Sequence, residues 1–419
     1  MSVPKLRFKE FDGDWSIKSL SELANLTSSK RVHLADYVPD GIPFFRGKEI
    51  TELKSGVFPS DILYISHNQF NEFKEKYGAP KNNEILITAV GTLANTYLVN
   101  TNYDFYFKDG NLIWLKDIKA DPKFMMILLD SKKNDVLASA IGSTQKALTI
   151  ANLNKLIFNF PCNLEQTQIA FFLSAVDEKI NQLTQKHKLL SQYKQGMMQK
   201  LFSQQIRFEA GDGSEFGEWE LLTIQDLVDR EVIEKPMDGN HGEIHPTSKD
   251  YVNEGIPFIM ATDVINGKVH LQNSKKITKQ QADSLRKGFS IAGDILLTHK
   301  ATIGNIAIVP SLEVEYIMLT PQVTYYRVIN SKKLSNQFLK VYFEAPQFQK
   351  SLLDLCTGAT RLYIGISEQR KLPIYLPSLE EQTKIANFLS SIDQKIEVVA
   401  QQIEHAKQWK KGLLQQMFV

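Results

Sequence analysis

The 419-residue chain repeats itself. Pro161 to Ile180, PCNLEQTQIAFFLSAVDEKI, returns 216 positions later as PSLEEQTKIANFLSSIDQKI, Pro377 to Ile396, with 12 of 20 residues identical and no gap. A duplication of this kind means one structural unit built twice. At the same offset Gly196 answers Gly412, Lys194 answers Lys410 and Phe202 answers Phe418. Weaker echoes lie upstream: Asp36 to Phe44 is mirrored by Asp250 to Phe258, Asn83 to Thr88 by Gly293 to Thr298, and Trp15 and Leu23 by Trp219 and Leu227. The offsets drift from 204 to 216, so the upstream parts have gained and lost loop residues. The order along the chain is globule, repeated segment, globule, repeated segment.

The repeated segment reads as helix. Leu173, Val176, Ile180, Leu183, Leu190, Met197 and Leu201 in the first copy share one heptad phase, as do Leu389, Ile392, Ile396, Val399, Ile403, Leu413 and Met417 in the second. Lys194 and Lys410 interrupt the two stripes at matching positions. Such spacing predicts coiled-coil helices of about 38 residues, roughly 57 Å long at 1.5 Å per residue. Ser378 followed by Glu381 forms a capping box, and Glu165 stands behind Cys162 in the same way. The first helix leaves globule one for globule two, and the second must return. Antiparallel pairing therefore predicts a rod with a globule at each end and an internal pseudo-twofold axis.

Composition narrows the class. Net charge is +2, from 49 Lys+Arg against 47 Asp+Glu, so any affinity for nucleic acid must come from local patches. Two cysteines, Cys162 and Cys356, are too few for a disulfide framework or a four-thiolate zinc site and point to a reducing compartment. The first ten residues lack the apolar core of a signal segment, and the apolar stretch around Ile169 to Phe172 is far too short to span a membrane. The expectation is a cytoplasmic protein with no membrane partner.

Each globule mixes short β-rich runs with little long helix. Ile85 to Thr88, Leu112 to Leu115, Ile295 to Thr298 and Val323 to Val328 read as strands, and Gly41-Ile42-Pro43 and Gly255-Ile256-Pro257 as turns entering strands. Polar clusters follow the strands: Thr88-Ala89-Val90-Gly91-Thr92 and Thr298-His299-Lys300-Ala301-Thr302, then Gly142-Ser143-Thr144-Gln145-Lys146 and Gly358-Ala359-Thr360-Arg361. Hydroxyls, amides and cations on glycine-adjacent backbone are the groups that contact phosphates and base edges. Solvated loops have the same composition, but recurrence in both copies favours function.

Catalytic signals are weak. There is no Walker P-loop, no His-Glu-x-x-His and no Gly-x-Gly-x-x-Gly after a strand. His241-Gly242-Glu243-Ile244-His245 could present two imidazoles and a carboxylate to a metal, but it sits among Gly239, Gly242 and Pro246 and is missing from the first copy, which reads as a loop. Asp40 with Glu52-Leu53-Lys54 mimics a nuclease carboxylate–lysine set and has no echo in the second copy. Cys162 stands at a helix start, where a thiolate could be activated, but its counterpart is Ser378, so capping is the better reading. No catalytic and no metal residue is expected, and a duplicated chain without a duplicated catalytic set reads as a double binder.

The ordered set of motifs resembles the specificity subunit of type I restriction-modification systems over essentially the whole chain. Its marks are Leu164-Glu165-Gln166…Ile169-Ala170, Glu381-Gln382…Ile385-Ala386, the opening Arg7-Phe8…Gly13-Asp14-Trp15, and its echo Arg207-Phe208…Gly217-Glu218-Trp219. The resemblance implies an α+β chain of two similar mixed α/β target-recognition domains, 1–160 and 205–376, joined by two long antiparallel coiled-coil spacer helices, 161–204 and 377–419. It implies a non-catalytic subunit that reads a bipartite, asymmetric site in double-stranded DNA. Two methyltransferase subunits and the restriction and translocase subunits would be its partners, and S-adenosylmethionine, ATP and Mg²⁺ would belong to them. Half-sites of paired readers stand about one helical turn apart, roughly 34 Å, a distance such a rod can bridge. For DNA contact, loop chemistry and repeat position select Arg46, Lys48, Thr88, Thr92, Gln145 and Lys146 in the first domain. In the second they select Thr298, His299, Lys300, Thr302, Thr360 and Arg361. Gln166, Lys179, Gln382 and Lys395, flanking the heptads, are the candidates for partner contact. A coiled-coil adaptor holding two protein-binding modules is the alternative; it would not need repeated Thr, Lys and Arg loops. A self-contained methyltransferase would need an Asn-Pro-Pro or Asp-Pro-Pro motif, and neither occurs.

Overall fold

The computed structural model describes residues 4–358 and 362–418. The chain divides into two compact units, residues 1–184 with 401–419, and residues 185–400.

In the first unit the run Ile85–Thr88 is the second strand from one edge of a sheet ordered Asn25–Thr27, Leu112–Lys116, Ile85–Thr88, Thr96–Leu98. All four of its residues are buried because both faces are covered. Ile85 and Ile87 pack on Phe124, Met125 and Leu128, while Leu86, on the opposite face, packs with Phe45 and Trp114. Period-two alternation then reads as a continuous apolar run, since neither side meets water. The second unit repeats the sheet with Met237–Asp238, Val323–Tyr326, Ile295–Lys300 and Thr302–Ile308. There Ile295 and Leu297 face one core and Leu296 another.

A further sheet in each unit grows from the turns read in the sequence. Ile42–Phe45 pairs antiparallel with Leu63–Ile65 and parallel with Tyr106–Phe107; Ile256–Ile259 pairs the same way with Lys275–Ile277 and Ile317–Leu319. The glycine before each strand lies against the neighbouring strand. A Cβ on Gly41 would stand 2.3 Å from the Ile65 carbonyl oxygen, and one on Gly255 2.3 Å from that of Ile277. Only glycine fits.

Helix α1, Asn163–Phe202, has 40 residues and α2, Leu379–Met417, has 39. Within the first unit the start of α1 (Ile169, Ala170, Leu173, Val176) packs with the end of α2 (Leu413, Met417) and Phe418. Within the second unit the end of α1 (Met198, Leu201, Phe202) shares a core with the start of α2 (Ile385, Ala386, Leu389, Ile392). The helices thus run in opposite senses. Met198 takes the buried place expected of Met197, which is only half-buried.

The two interrupting lysines are ion-paired across the helices. Lys194 Nζ donates to Asp393 at 2.8 Å and to Glu344 at 3.3 Å, and Lys410 Nζ donates to Asp177 at 2.5 Å. Asp177 and Asp393 are themselves repeat equivalents, so one pair has been built twice. Burial alone would depress the Lys194 ammonium, but the Glu344 and Asp393 carboxylates outweigh it and hold the group above its ordinary value. Among the described residues no helix is long and apolar enough to cross a membrane.

Candidate nucleic-acid interface

The strand-end loops are fixed by one hydrogen-bond scheme used in both units. Thr88 Oγ1 accepts the Asn95 N–H at 2.9 Å and donates to the Thr92 carbonyl, folding the 89–94 loop back on its strand. Thr298 Oγ1 accepts the Asn305 N–H at 3.0 Å in the same relation, seven residues on. Next to each hairpin lies the second polar loop. Ile141 and Ala147 exchange N–H···O bonds of 2.9 and 2.8 Å, closing the loop 142–146, and the Leu148 N–H donates to Ala89 at 2.9 Å. In the second unit Thr357 and Tyr363 exchange bonds of 2.9 and 3.0 Å, and the Ile364 N–H donates to His299 at 3.1 Å. In each unit the base of the second loop is thus held against the end of the central strand.

Within this frame the side chains sort themselves. Thr92, Gln145 and Lys146 are exposed on the first unit's loop pair, and Lys300 and Thr302 on the second's. Gly142 has φ +111°, and a Cβ on it would meet the Gln145 carbonyl oxygen at 2.3 Å, so glycine is what allows the tight loop that lifts Gln145 and Lys146. Lys48 is exposed on the first turn of the helix Gly47–Lys54, 3.9 Å from Glu52. Thr360 and Arg361 lie outside the described residues.

Five of the selected residues are otherwise employed. Thr88 and Thr298 are 1% and 0% exposed, so their hydroxyls hold the loops instead of reaching DNA. Arg46 is committed to the fully buried Glu49, with Nε 3.0 Å from Oε1, while Glu49 caps the following helix through the Arg46 N–H at 2.7 Å. Burial would push the Glu49 carboxyl up, but the Arg46 guanidinium and backbone N–H groups hold it below its ordinary value. Gln166 and Gln382 are buried inside their own units, not placed for a partner. Gln166 accepts the Asp121 N–H at 2.9 Å and donates to the Pro161 carbonyl at 2.9 Å. Gln382 accepts the Ser335 N–H at 2.9 Å and donates to Pro377 at 2.9 Å and Lys333 at 3.0 Å. Lys179 and Lys395 are exposed. His299 is 5% exposed and lines a hollow rather than the outer surface.

A duplicated clamp was hidden in motifs that the sequence matched but did not connect. Glu165 accepts Nε and Nη2 of Arg7, both at 2.7 Å, and the Trp15 indole N–H at 3.3 Å. Glu381 accepts Arg207 at 3.0 and 2.8 Å and the Trp219 indole at 3.0 Å. Phe8 meets Phe172 and Phe208 meets Phe388 edge to face, each pair at 5.7 Å. Ser378 does accept the Glu381 N–H, at 3.3 Å, but the Glu381 carboxylate leaves the capping box for the clamp. The fixed recurrence of Arg-Phe…Trp with Glu-Gln was the available signal. The nuclease-like set does not assemble: Lys54 is bound to Asp130 at 2.7 Å. Among the described residues no three His, Cys, Asp or Glu are grouped to hold a metal.

The sequence profile of the type I restriction modification DNA specificity domain matches this chain twice, over residues 12–191 and 217–408. The chain belongs to that family. The two matches fall one on each copy of the duplication, so the specificity subunit carries two such domains, and its role is recognition, not catalysis. It is 26% identical over 404 residues to the type I restriction enzyme MjaVIII specificity subunit of Methanocaldococcus jannaschii, covering 90% of both chains. It is 22% identical over 307 residues to the EcoBI specificity subunit of Escherichia coli, covering 70% of this chain and 63% of the relative. The fold matches the type I S subunit from M. genitalium with a TM-score of 0.60 at 18% identity, over 100% of this chain and 99% of that one. A structure described as showing complex assembly and conformational transition of the type I restriction-modification system matches with a TM-score of 0.59 at 17% identity, over 97% of both chains.

Proposed function

We propose that each recognition domain of the specificity subunit reads one half of a bipartite site in double-stranded DNA, and that the two halves differ in sequence. The observation that supports this is the paired loop platform: the bonds that hold its base recur in both units, while the residues it carries differ. At matched positions Val90, Gln145 and Lys146 of the first unit are replaced in sequence by Lys300, Arg361 and Leu362 in the second, while Thr92 and Thr302 are alike. A recurring base that carries unlike residues suits two readers of unlike sequences. Gln and Lys pair with adenine and guanine edges in the major groove, and Thr suits phosphate or a thymine methyl.

On this reading the specificity subunit brings two methyltransferase subunits to the site, and restriction and translocase subunits complete the assembly. S-adenosylmethionine, ATP and Mg²⁺ serve those subunits. Lys179 and Lys395, exposed and equivalent on the two helices, are candidate contacts for the two copies. Methylation sequencing of DNA from cells expressing the subunit with a competent methyltransferase partner tests the reading. A new methylated motif in two unlike parts with a fixed gap is expected. A bound, competent partner that leaves no new mark would favour a protein-binding adaptor.

A further inference from the structure

The two domains share a frame but differ at its matched strand ends. Thr88 and Thr298 correspond through their hairpin bonds, so Ala89 matches His299 and Val90 matches Lys300. Leu86 pairs with Trp114 and Leu296 with Tyr325; Thr27 lies opposite Trp114 and Met237 opposite Tyr325, so Ser28 matches Asp238. Small or apolar residues in the first domain are therefore replaced by a titratable cluster in the second.

The cluster is internally ordered. Asp238, 5% exposed, accepts from Lys287 Nζ and lies 2.7 Å from His241 Nε2. Burial would push the Asp238 carboxyl up, but Lys287 and His241 hold it below its ordinary value. His299 has its Nδ1 3.0 Å from the Ile364 carbonyl oxygen, which can only accept, so Nδ1 carries the proton. Burial pushes the imidazole down and favours the neutral ring, leaving a lone pair on Nε2. That atom has no hydrogen-bond partner among the described residues, and neither have the buried hydroxyls of Thr320 and of Thr324, the cross-strand neighbour of Asp238. His299 lines a hollow of about 340 Å³, and Thr320 lines another of about 310 Å³ that shares His241, Lys300 and Pro321 with it. Buried polar atoms in folded proteins almost always have partners. A vacant acceptor at one hollow and a vacant hydroxyl at the hollow beside it, with the Lys287 and Lys300 ammonium groups at the edge, call for a ligand rich in hydrogen-bonding groups.

We propose that this hollow is the base-reading pocket of the second domain, with His299 Nε2 accepting a hydrogen bond from the exocyclic amino group of an adenine or cytosine. Lys300 and His241 flank that base. The inference rests on the half-site reading above and makes it asymmetric, because Ala89 and Val90 offer no such acceptor in the first domain. Adenine N6 and cytosine N4 are the donors a base pair presents in the major groove.

The test is selection by the assembled complex, with its methyltransferase subunits, from duplexes randomised in both half-sites. Wild type is expected to demand adenine or cytosine at one second-half position. His299→Ala should lose that preference at least tenfold with the first half unchanged, and His299→Gln, which keeps an acceptor, should retain part of it. Removing a buried ring also perturbs the sheet, so His241→Ala and Lys300→Ala, at exposed side chains, give the independent reading: each should weaken discrimination in the second half alone. Folded variants with unaltered second-half preferences, the hollow holding ordered water only, would overturn the proposal, as would equal weakening at both halves. Failure of wild type to select any two-part site would instead overturn the half-site reading, and this inference with it.

Discussion

Glu165 and Glu381 each tie an N-terminal Arg and Trp to the first turn of a long helix, and each is fully buried. Removing one partner of a buried pair leaves an uncompensated charge, at a cost of about 3–5 kcal/mol. Glu165→Ala should therefore destabilise the first unit by about that amount and Glu381→Ala the second, read as local loss of amide-exchange protection. Equal loss across both units would contradict the assignment. Gly142→Ala should distort its loop, since the added Cβ meets the Gln145 carbonyl at φ +111°. Binding at the first half-site should fall while thermal stability changes by only about 1–3 kcal/mol. Legibility at this scale was uneven. Loop tips such as Lys146 and Lys300 were visible as polar residues beside glycine or after a strand. Thr88 and Thr298 were not, because a threonine ending a strand has the same composition whether its hydroxyl faces solvent or turns back on its own hairpin.

The strands and both long helices were legible because their apolar periodicity is set by burial. Gln166 and Gln382 escaped for the opposite reason. A first-turn residue is surrounded by the globule its helix leaves, so helical spacing says nothing of its exposure. Lys194 and Lys410 looked like breaks in a seam, and pairing with Asp393 and Asp177 turned them into part of it. The Lys194 ammonium has its value raised, so the stability it contributes is fully present below the unfolded value, about pH 10.4, and is lost as pH rises through the folded one. Denaturant midpoints at pH 8 and pH 11 should show a smaller alkaline loss for Lys194→Met than for wild type; an identical loss would show that the pair adds nothing. The Lys194–Asp393 pair is only partly buried and Glu344 keeps Lys340 as a partner at 2.8 Å, so Lys194→Met with Asp393→Leu should cost little at pH 7.

For the molecule as a whole, the duplication preserves the frame and varies what the frame presents. The clamps, the buried glutamines, the hairpin threonines and the interhelical lysines recur in both copies, while Val90, Gln145 and Lys146 give way to Lys300, Arg361 and Leu362 and the Asp238–His299 cluster has no counterpart. With a net charge of only +2, the isolated chain should bind DNA weakly and lose affinity as salt rises; a nanomolar affinity insensitive to salt would contradict this. Whether each unit reads its own half-site through its own loop pair is decided by a loop graft. The loops 142–146 and 358–362 are closed by equivalent bridges, so Ser143→Ala, Gln145→Arg and Lys146→Leu place the second loop's sequence in the first frame. Methylation sequencing with the partner subunits should then show a motif altered in one half only, with the other half and the gap unchanged. An unchanged motif, or one altered in both halves, would show that the loop pair does not read its own half-site.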